Sequence, residues 1–257
     1  MADRPRIVSW FSAGTASAVT SRLVLAEYSD THDVEIARCL VPEEHEDNDR
    51  FAADCERWFG RPILNLKSAE YSSCEDVWTR RRYMSGVEGA SCTQEMKKAV
   101  CWTFEREWHP DLQAFGFTFD ERARAERFRD QNPDVRLVTP LIDAGLTKDD
   151  CHAIVIRAGI LLPIMYRLGF PNANCIGCVN AQSPRYWNRT RRHFPVDFEK
   201  RARLSRALGV RLVKMTSGDR ERIFLDELDP TLDDGDEGPA AECSLLCYIA
   251  ERKIVAA

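Results

Sequence analysis

The chain has 257 residues, of which 44% are hydrophobic, so it is long enough to bury a full core in one large domain or in a main domain with a small appendage. Its net charge of -5 argues against a generally basic nucleic-acid binder. The most apolar run, residues 154–165, is interrupted by Arg157, Gly159 and Pro163 and is shorter than the roughly 20 residues that a bilayer needs. The N-terminus also lacks the pattern of a secretory signal, so we expect a cytoplasmic protein without a membrane partner.

The first predicted element is an apolar strand that begins at Arg6 and leads into a turn of small residues and then into a helix. The turn contains Ser12, Gly14, Thr15 and Ser17. Small side chains let backbone N–H groups approach an anion, and a helix N-terminus directs a positive dipole end to the same point. The turn lacks the ending of a Walker loop and the glycines of a dinucleotide fingerprint. It therefore allows two interpretations, a plain packing turn and a phosphate cradle.

Strand and helix patterns alternate along the rest of the chain. The strand patterns cover residues 34–41, 63–66, 112–117, 135–140 and 210–214, and the helix patterns cover residues 16–27, 48–59, 75–85, 147–159 and 196–208. This alternation predicts an α/β, Rossmann-like layered fold with a mainly parallel sheet. We expect an α/β domain over residues 1–170 and a cysteine-rich C-terminal region over residues 171–257, packed as one unit. Residues 226–242 are predicted to be a flexible lead-in to the C-terminal cysteines.

The ten cysteines are a poor match for a disulfide framework in a reducing compartment. Cys175 and Cys178 are separated by two residues in turn-forming sequence, so their thiolates can bind one metal or cluster. Candidates for the other ligands are Cys92, Cys243 and Cys247, with His45, His152 or His193 as substitutes at a zinc site. Spacing alone leaves an iron–sulfur cluster and structural zinc as equal alternatives.

Five segments together resemble the phosphoadenosine phosphosulfate (PAPS) reductase family, within the PP-loop or adenine-nucleotide α-hydrolase-like superfamily. These segments are residues 12–17, 91–98, 116–124, 140–141 and 175–178, in the order seen in that family. The resemblance runs from about residue 6 to residue 247 and looks closest to compact members from bacteriophages and bacteria. It implies that residues 1–170 bind an adenine nucleotide, which is PAPS, adenylyl sulfate (APS) or ATP.

The resemblance also implies roles for single residues. Ser12, Gly14, Thr15 and Ser17 fall where the family holds a phosphate or pyrophosphate, Lys97 and Lys98 would face substrate anions, and Glu121 and Arg124 fall beside the nucleotide. Cys92, Cys175 and Cys178 are similar to cluster ligands, which implies a 4Fe-4S cluster with Cys247 as the preferred fourth ligand. Glu242-Cys243 resembles the start of the motif that bears the reductases' nucleophile, so Cys243 is the implied catalytic residue.

Three departures separate this chain from the family pattern. Ala13 and Ala16 stand where the PP-loop pattern has a glycine and an acidic residue, which weakens the case for ATP hydrolysis. Thr93 stands where cluster-containing reductases have a second adjacent cysteine, so a four-cysteine site would need a C-terminal cysteine. Residues 244–246 replace the Gly-Leu/Ile-His that follows the reductase nucleophile, which leaves the reductase site incomplete.

Two functions and one non-catalytic alternative follow. The first is a sulfonucleotide reductase that releases sulfite from PAPS or APS with a thioredoxin-like reductant. The second is an ATP-dependent sulfur-insertion or nucleic-acid-modification enzyme, for which residues 185–193 offer aromatic and arginine side chains to a nucleic acid. A basic loop leading into a helix around a core tryptophan is the plainer interpretation of that run. The third is a nucleotide-binding module with structural zinc. The oligomeric state is left open, with a homodimer among the options.

Overall fold

The computed structural model describes residues 4–86, 89–215 and 221–233. Its strands are β1 (Arg6–Trp10), β2 (Asp33–Cys39), β3 (Leu64–Leu66), β4 (Ser85–Gly86), β5 (Gly89–Ala90), β6 (Leu112–Ala114), β7 (Leu137–Val138), β8 (Val213–Lys214) and β9 (Arg222–Ile223). Its α-helices are α1 (Thr15–Tyr28), α2 (Asp47–Phe59), α3 (Cys74–Arg81), α4 (Ser91–Thr93), α5 (Ala99–Trp108), α6 (Arg122–Gln131), α7 (Pro140–Asp143), α8 (Lys148–Arg157), α9 (Ile164–Arg167), α10 (Pro184–His193) and α11 (Pro195–Ala207). A π-helical turn (Gln94–Lys98) joins α4 to α5, and 3₁₀ turns cover Phe119–Glu121 and Leu225–Glu227.

Five parallel strands form the central sheet in the order β3-β2-β1-β6-β7. In the middle of this sheet, Ile7 of β1 lies opposite Val34 of β2 and Leu112 of β6. The strand order reverses between β1 and β6, and open α/β sheets bind ligands outside the carboxyl ends of the strands at such a point. The predicted α/β fold with a mainly parallel sheet is therefore confirmed, and the small-residue turn after β1 lies at the edge where ligands bind.

Successive residues of β1 face two different cores, because side chains alternate across a strand. Ile7 packs with residues of α1, α2 and α8 on one face of the sheet. Val8 and Trp10 pack with residues of α5 and α6 on the other face. With helices on both faces, β1 is buried over almost its whole length, as expected for a central parallel strand. The turn after β1 is thus held by a rigid element.

Several segments differ from the sequence-based expectations, among them the three that follow. Only Val213–Lys214 of the predicted strand at residues 210–214 is extended, and it pairs antiparallel with β9 outside the main sheet. Leu225 and Leu228 are buried, so the start of the predicted flexible lead-in is a packed turn, while residues 234–242 lie outside the described residues. Residues 185–193 are themselves helical, because the Ser183 hydroxyl accepts the Tyr186 N–H at 3.2 Å and caps α10. None of the helices in the described ranges combines the length and the apolar character needed to cross a bilayer.

Candidate functional site

The turn after β1 is closed by the hydroxyl of Ser17. This hydroxyl accepts the backbone N–H of Ser12 at 3.0 Å and donates to the carbonyl of Gly14 at 2.9 Å. Ala13 has a φ of 57°, the left-handed region that glycine enters more easily. The position where the PP-loop pattern has glycine therefore keeps a glycine-like conformation. The Thr15 hydroxyl is buried without a hydrogen-bond partner, while Ser12 is exposed, so Ser17 shapes the turn and Ser12 lies on its open side.

Two other segments approach the same turn. A Cβ atom added at Gly116 would lie 2.8 Å from the backbone nitrogen of Ser17, so the turn after β6 packs directly on the first turn of α1. A Cβ atom added at Gly14 would lie 3.0 Å from the hydroxyl of Tyr166. Tyr166 received no role in the sequence analysis. Its position makes it a further residue of the candidate anion site.

His152 and Lys148 of α8 surround the ring of Tyr166. The ring centroids of His152 and Tyr166 lie 4.8 Å apart, and the Lys148 ammonium lies 5.5 Å from the centre of the Tyr166 ring. Burial, followed by the charge of Lys148, lowers the pKa of His152 below its usual value. Its Nε2 atom is buried without a hydrogen-bond partner. At neutral pH this histidine is therefore uncharged and packs against Tyr166. In this position His152 has a packing role, apart from the zinc ligation that the sequence left open.

Glu121 and Arg124 pair with each other at 2.5 Å, on the segment that follows Gly116. The second carboxylate oxygen of Glu121 accepts the backbone N–H of Thr118 at 3.2 Å and so caps the helical segment. Arg124 also approaches the ring of Phe117, at 5.9 Å. Glu121 therefore orients both the segment and the guanidinium of Arg124 beside the point where the strand order reverses.

Lys97 and Lys98 lie in the π-helical turn between α4 and α5. Such turns are rare and are often found at functional sites. Lys98 is only 1% exposed, and the Lys97 ammonium lies 3.2 Å from a carboxylate oxygen of Glu44 in the acidic loop after β2. Burial of an ammonium is costly unless an anion lies nearby. The two buried lysines therefore make this turn a favourable position for negatively charged groups.

A cleft of about 490 Å³ opens next to these lysines, at the carboxyl ends of β2 and β3. Its wall includes Val41 and Glu44 after β2, Lys67 after β3, and Met96 from the π-helical turn. On the same wall, Arg38 pairs with a carboxylate oxygen of Asp49 at 2.7 Å. The acidic run after β2 is thus engaged in specific ion pairs rather than simply solvated.

A third core includes buried residues of α3, α10 and α11, and it contains a cluster of four cysteines: Cys74, Cys92, Cys175 and Cys178. The Cys74 thiol forms hydrogen bonds with the thiols of Cys175 and Cys92, and these bonds together with burial raise the pKa of Cys74 well above its usual range. The Tyr186 hydroxyl accepts the backbone N–H of Cys178 at 2.9 Å and donates to the carbonyl of Cys175 at 3.3 Å. Sequence reasoning missed Cys74, which has no local motif and comes close only through the tertiary fold.

The donor set of this cluster fits a thiolate-held group. Four buried thiols in an apolar core are the ligands used by iron–sulfur clusters and by structural zinc. Across the described ranges, no three cysteine, histidine or carboxylate side chains are already set in the geometry of a metal ion site. Cys243 and Cys247, the predicted nucleophile and the predicted fourth ligand, lie outside the described residues.

The turn that carries Cys175 and Cys178 is tied to the edge of the main sheet. The backbone N–H of Ile176 donates to the carbonyl of Glu43 at 2.8 Å, in the loop after β2. Gly177 has a φ of 64°, a conformation that favours glycine and that turns the chain back between the two cysteines. The cysteine cluster therefore lies at the same edge of the sheet as the turn after β1.

The basic run of α10 is directed largely into the protein. Arg185 bonds to Asp233, and Arg191 donates to the carbonyls of Leu225 and Leu228 at 3.2 and 3.0 Å. Trp187 is buried and donates to the carbonyl of Ala181. These contacts favour a packing role for the run over a surface that stacks on nucleic acid.

No family model matches the sequence, and no curated protein matches it. The fold is similar to that of a PAPS reductase from Candida auris in its phosphate complex, with a TM-score of 0.45 and 10% identity, over 64% of this chain and 78% of that chain. It is also similar to the U34-tRNA thiolase NcsA from Methanococcus maripaludis with its 4Fe-4S cluster, with a TM-score of 0.41 and 13% identity, over 86% of this chain and 78% of that chain. Both similarities are similarities of fold.

Proposed function

We propose that the protein is a sulfonucleotide reductase that binds PAPS or APS at the turn after β1 and holds an iron–sulfur cluster with its cysteines. The observation that supports this proposal is that the small-residue turn and the cysteine cluster share one edge of the sheet. An anion-binding turn next to a thiolate-held group suits chemistry on a nucleotide that carries a sulfate. Zinc in place of the cluster is the alternative, and it would leave the thiols with a structural role only.

The nucleotide's anionic groups are held by the turn and by nearby cations. Backbone N–H groups from Ser12 to Ser17 and the N-terminus of α1 supply donors for a phosphate. Lys97, Lys98 and Arg124 supply positive charge, and Glu121 orients Arg124. When bound, an iron–sulfur cluster would supply a charged, redox-active group beside this site.

Cys243 is the proposed nucleophile. Its thiolate attacks the sulfur of the nucleotide's sulfate group, so that an S–S bond forms, the S–O bond to phosphate breaks and the nucleoside phosphate leaves. A thioredoxin-like dithiol then attacks the Cys243 sulfur and displaces sulfite, and its second thiol resolves the mixed disulfide. The dithiol is oxidised, and the transferred sulfur is reduced by two electrons.

Three of the described cysteines are poor candidates for this attack. Burial raises the pKa of Cys55 and Cys101, and hydrogen bonds to Cys175 and Cys92 raise that of Cys74. A thiol with a raised pKa is rarely ionised at neutral pH, and the thiolate is the nucleophile. These three thiols therefore do not replace Cys243, the nucleophile that the resemblance implies.

Anaerobically purified protein tests the proposal. Incubation with PAPS or APS and a dithiol donor should release sulfite, and Cys243→Ser should abolish the release while nucleotide binding remains. A homodimer or a tight complex with the thioredoxin-like donor would be visible in the same samples by size-exclusion chromatography. If sulfite does not form and ATP instead releases pyrophosphate in the presence of tRNA, the protein is the ATP-dependent sulfur-insertion enzyme. If neither product forms, the nucleotide-binding module with structural zinc is the better description.

A further inference from the structure

Cys74 lies in the cysteine cluster next to two of its other members, Cys92 and Cys175. It is the first residue of α3, where the Ser73 hydroxyl accepts the backbone N–H of Asp76 at 3.0 Å and fixes the helix start. From this position its thiol contacts both Cys92 and Cys175. Cys74 thus joins the two segments that carry the other three cysteines, and four thiols are available without any residue beyond position 233.

Arg201 of α11 lies against the same cluster and is 5% exposed. Its Nε atom donates to the carbonyl of Gly177 at 3.2 Å, in the turn between Cys175 and Cys178. Its guanidinium carbon lies 4.1 Å from the centre of the Trp78 ring, one helical turn after Cys74. The side chain therefore contacts both the turn and the helix that present the thiols.

The charge of Arg201 has no ionic partner within the described ranges. Its Nη1 atom is buried without a hydrogen-bond partner, and arginine does not lose its proton in proteins. A buried cation is costly unless a negative charge lies nearby. Four thiolates around one Zn²⁺ or one iron–sulfur core retain a net negative charge, so such a group would provide that compensation.

An acidic cleft offers a competing explanation for Arg201. This cleft of about 480 Å³ is lined by Arg201 together with the carboxylates of Glu43, Glu75, Asp76 and Asp197. A buried oxygen of Glu43 also lacks a hydrogen-bond partner. If the cleft explains the arginine, the charge of Arg201 will not influence the group that the thiols hold.

We propose that Cys74, Cys92, Cys175 and Cys178 form a complete four-thiolate centre whose negative charge is balanced by Arg201. This inference rests on the proposed thiolate-held group and replaces Cys247 with Cys74 as the fourth ligand. Both C-terminal cysteines are then free, so Cys243 keeps its proposed role and Cys247 needs none at the metal.

Metal content tests the ligand set. Cys74→Ala should lose most of its iron and sulfide, while Cys55→Ala, which also removes a buried thiol but lies in another core, should keep both. A protein in which Cys243 and Cys247 are both alanine should keep its full iron and sulfide and should lose only turnover. Loss of iron from this double variant overturns the proposal, and it decides the question even if Cys74→Ala does not fold. Zinc in the wild type with the same pattern among the variants would keep the ligand set and reject the iron–sulfur part of the proposed function.

The reduction potential of the loaded protein tests Arg201. Arg201→Gln should shift the potential to more negative values, because a nearby cation stabilises the reduced, more negative state, whereas Arg201→Lys should stay near the wild type. Arg38→Gln is the matched control, since Arg38 is equally buried but pairs with Asp49. In a zinc-loaded protein, the corresponding readout is faster zinc release to a chelator from Arg201→Gln. An Arg201→Gln protein with unchanged potential, or unchanged zinc release, overturns the role of Arg201 and assigns it to the acidic cleft.

Discussion

Gly116 and Gly14 flank the small-residue turn, but they face different neighbours. A Cβ atom at Gly116 would lie within 3.1 Å of three backbone atoms of Ala16 and Ser17, which cannot move without shifting α1. We expect Gly116→Ala to lower the free energy of unfolding by about 1–3 kcal/mol, the usual cost of overpacking. At Gly14 the nearest atom is the terminal hydroxyl of Tyr166, so Gly14→Ala should change stability by about 0.5 kcal/mol or less.

Nucleotide binding separates the two glycine variants further. Gly14→Ala should weaken binding of PAPS or APS, because its methyl group points into the space between the turn and Tyr166. Urea unfolding and calorimetric titration of both variants provide the measurement. Equal stability losses in the two variants would contradict the steric argument, and unchanged affinity in Gly14→Ala would show that the anion site lies elsewhere.

His152 should make stability depend on pH below about 6.5, the pKa of a free histidine. Burial lowers its pKa in the folded state, so the unfolded chain binds a proton at a higher pH than the folded protein does. The stabilisation is therefore complete above the unfolded pKa and is lost as the pH falls through the folded pKa. Unfolding free energies at several pH values should fall less steeply in this range for His152→Gln than for the wild type. Identical slopes for wild type and His152→Gln would contradict this prediction.

At the scale of elements, the Tyr186 hydroxyl holds the turn that presents Cys175 and Cys178. Tyr186 belongs to α10, and its hydroxyl forms two hydrogen bonds with the backbone of the turn. Tyr186→Phe should cost about 1–2 kcal/mol, because a buried N–H and a buried carbonyl lose their partner. It should also speed the release of the bound metal to a chelator. Tyr28→Phe, at a half-exposed position on α1, should change neither quantity, and equal metal release from both variants would remove the role assigned to Tyr186.

Periodicity found α1, α2, α3, α8 and α11 but missed α6, α10 and the segment from Ser91 to Trp108. Hydrophobic patterns assume one helical repeat, and the π-helical turn over Gln94–Lys98 shifts that repeat between α4 and α5. Lysine side chains are rarely fully buried, yet both lysines of this turn are buried. The resemblance of residues 91–98 to the family, rather than the hydrophobic pattern, marked the two lysines as functional candidates.

The cysteines show the same division between local and tertiary information. The Cys175 and Cys178 pair is visible in the sequence because two residues of separation and a glycine define a tight turn. Cys74 is 18 positions before Cys92 and belongs to no motif, so only the packing of α3 against the cysteine turn reveals it. Arg201 is equally hidden, since an arginine in a helix is usually expected at the surface.

At the scale of the whole molecule, the three cores differ in the side chains that form them. The two cores on the faces of the sheet consist mainly of aliphatic and aromatic side chains. The third core contains the four cysteines together with Trp78, Tyr186 and Trp187, and it lies beyond the sheet's edge. Metal binding at such a centre is coupled to folding, because the bound state holds separate segments together. We therefore expect the stability of the third core to depend on the bound group.

Hydrogen exchange of the metal-loaded and chelated protein can resolve this dependence segment by segment. After metal removal, four buried thiols and the Arg201 cation remain without the group that we propose balances them, so α3, α10 and α11 should exchange faster. The backbone of β1, β2 and α1 should remain protected, since their cores contain no part of the centre and local stability varies across a structure. Added PAPS or APS should in turn slow exchange at the turn after β1 and at the start of α1, whether or not metal is bound. A uniform increase in exchange after chelation would mean that the cysteine core and the sheet unfold as one unit, and faster exchange confined to α1 would contradict the placement of the metal.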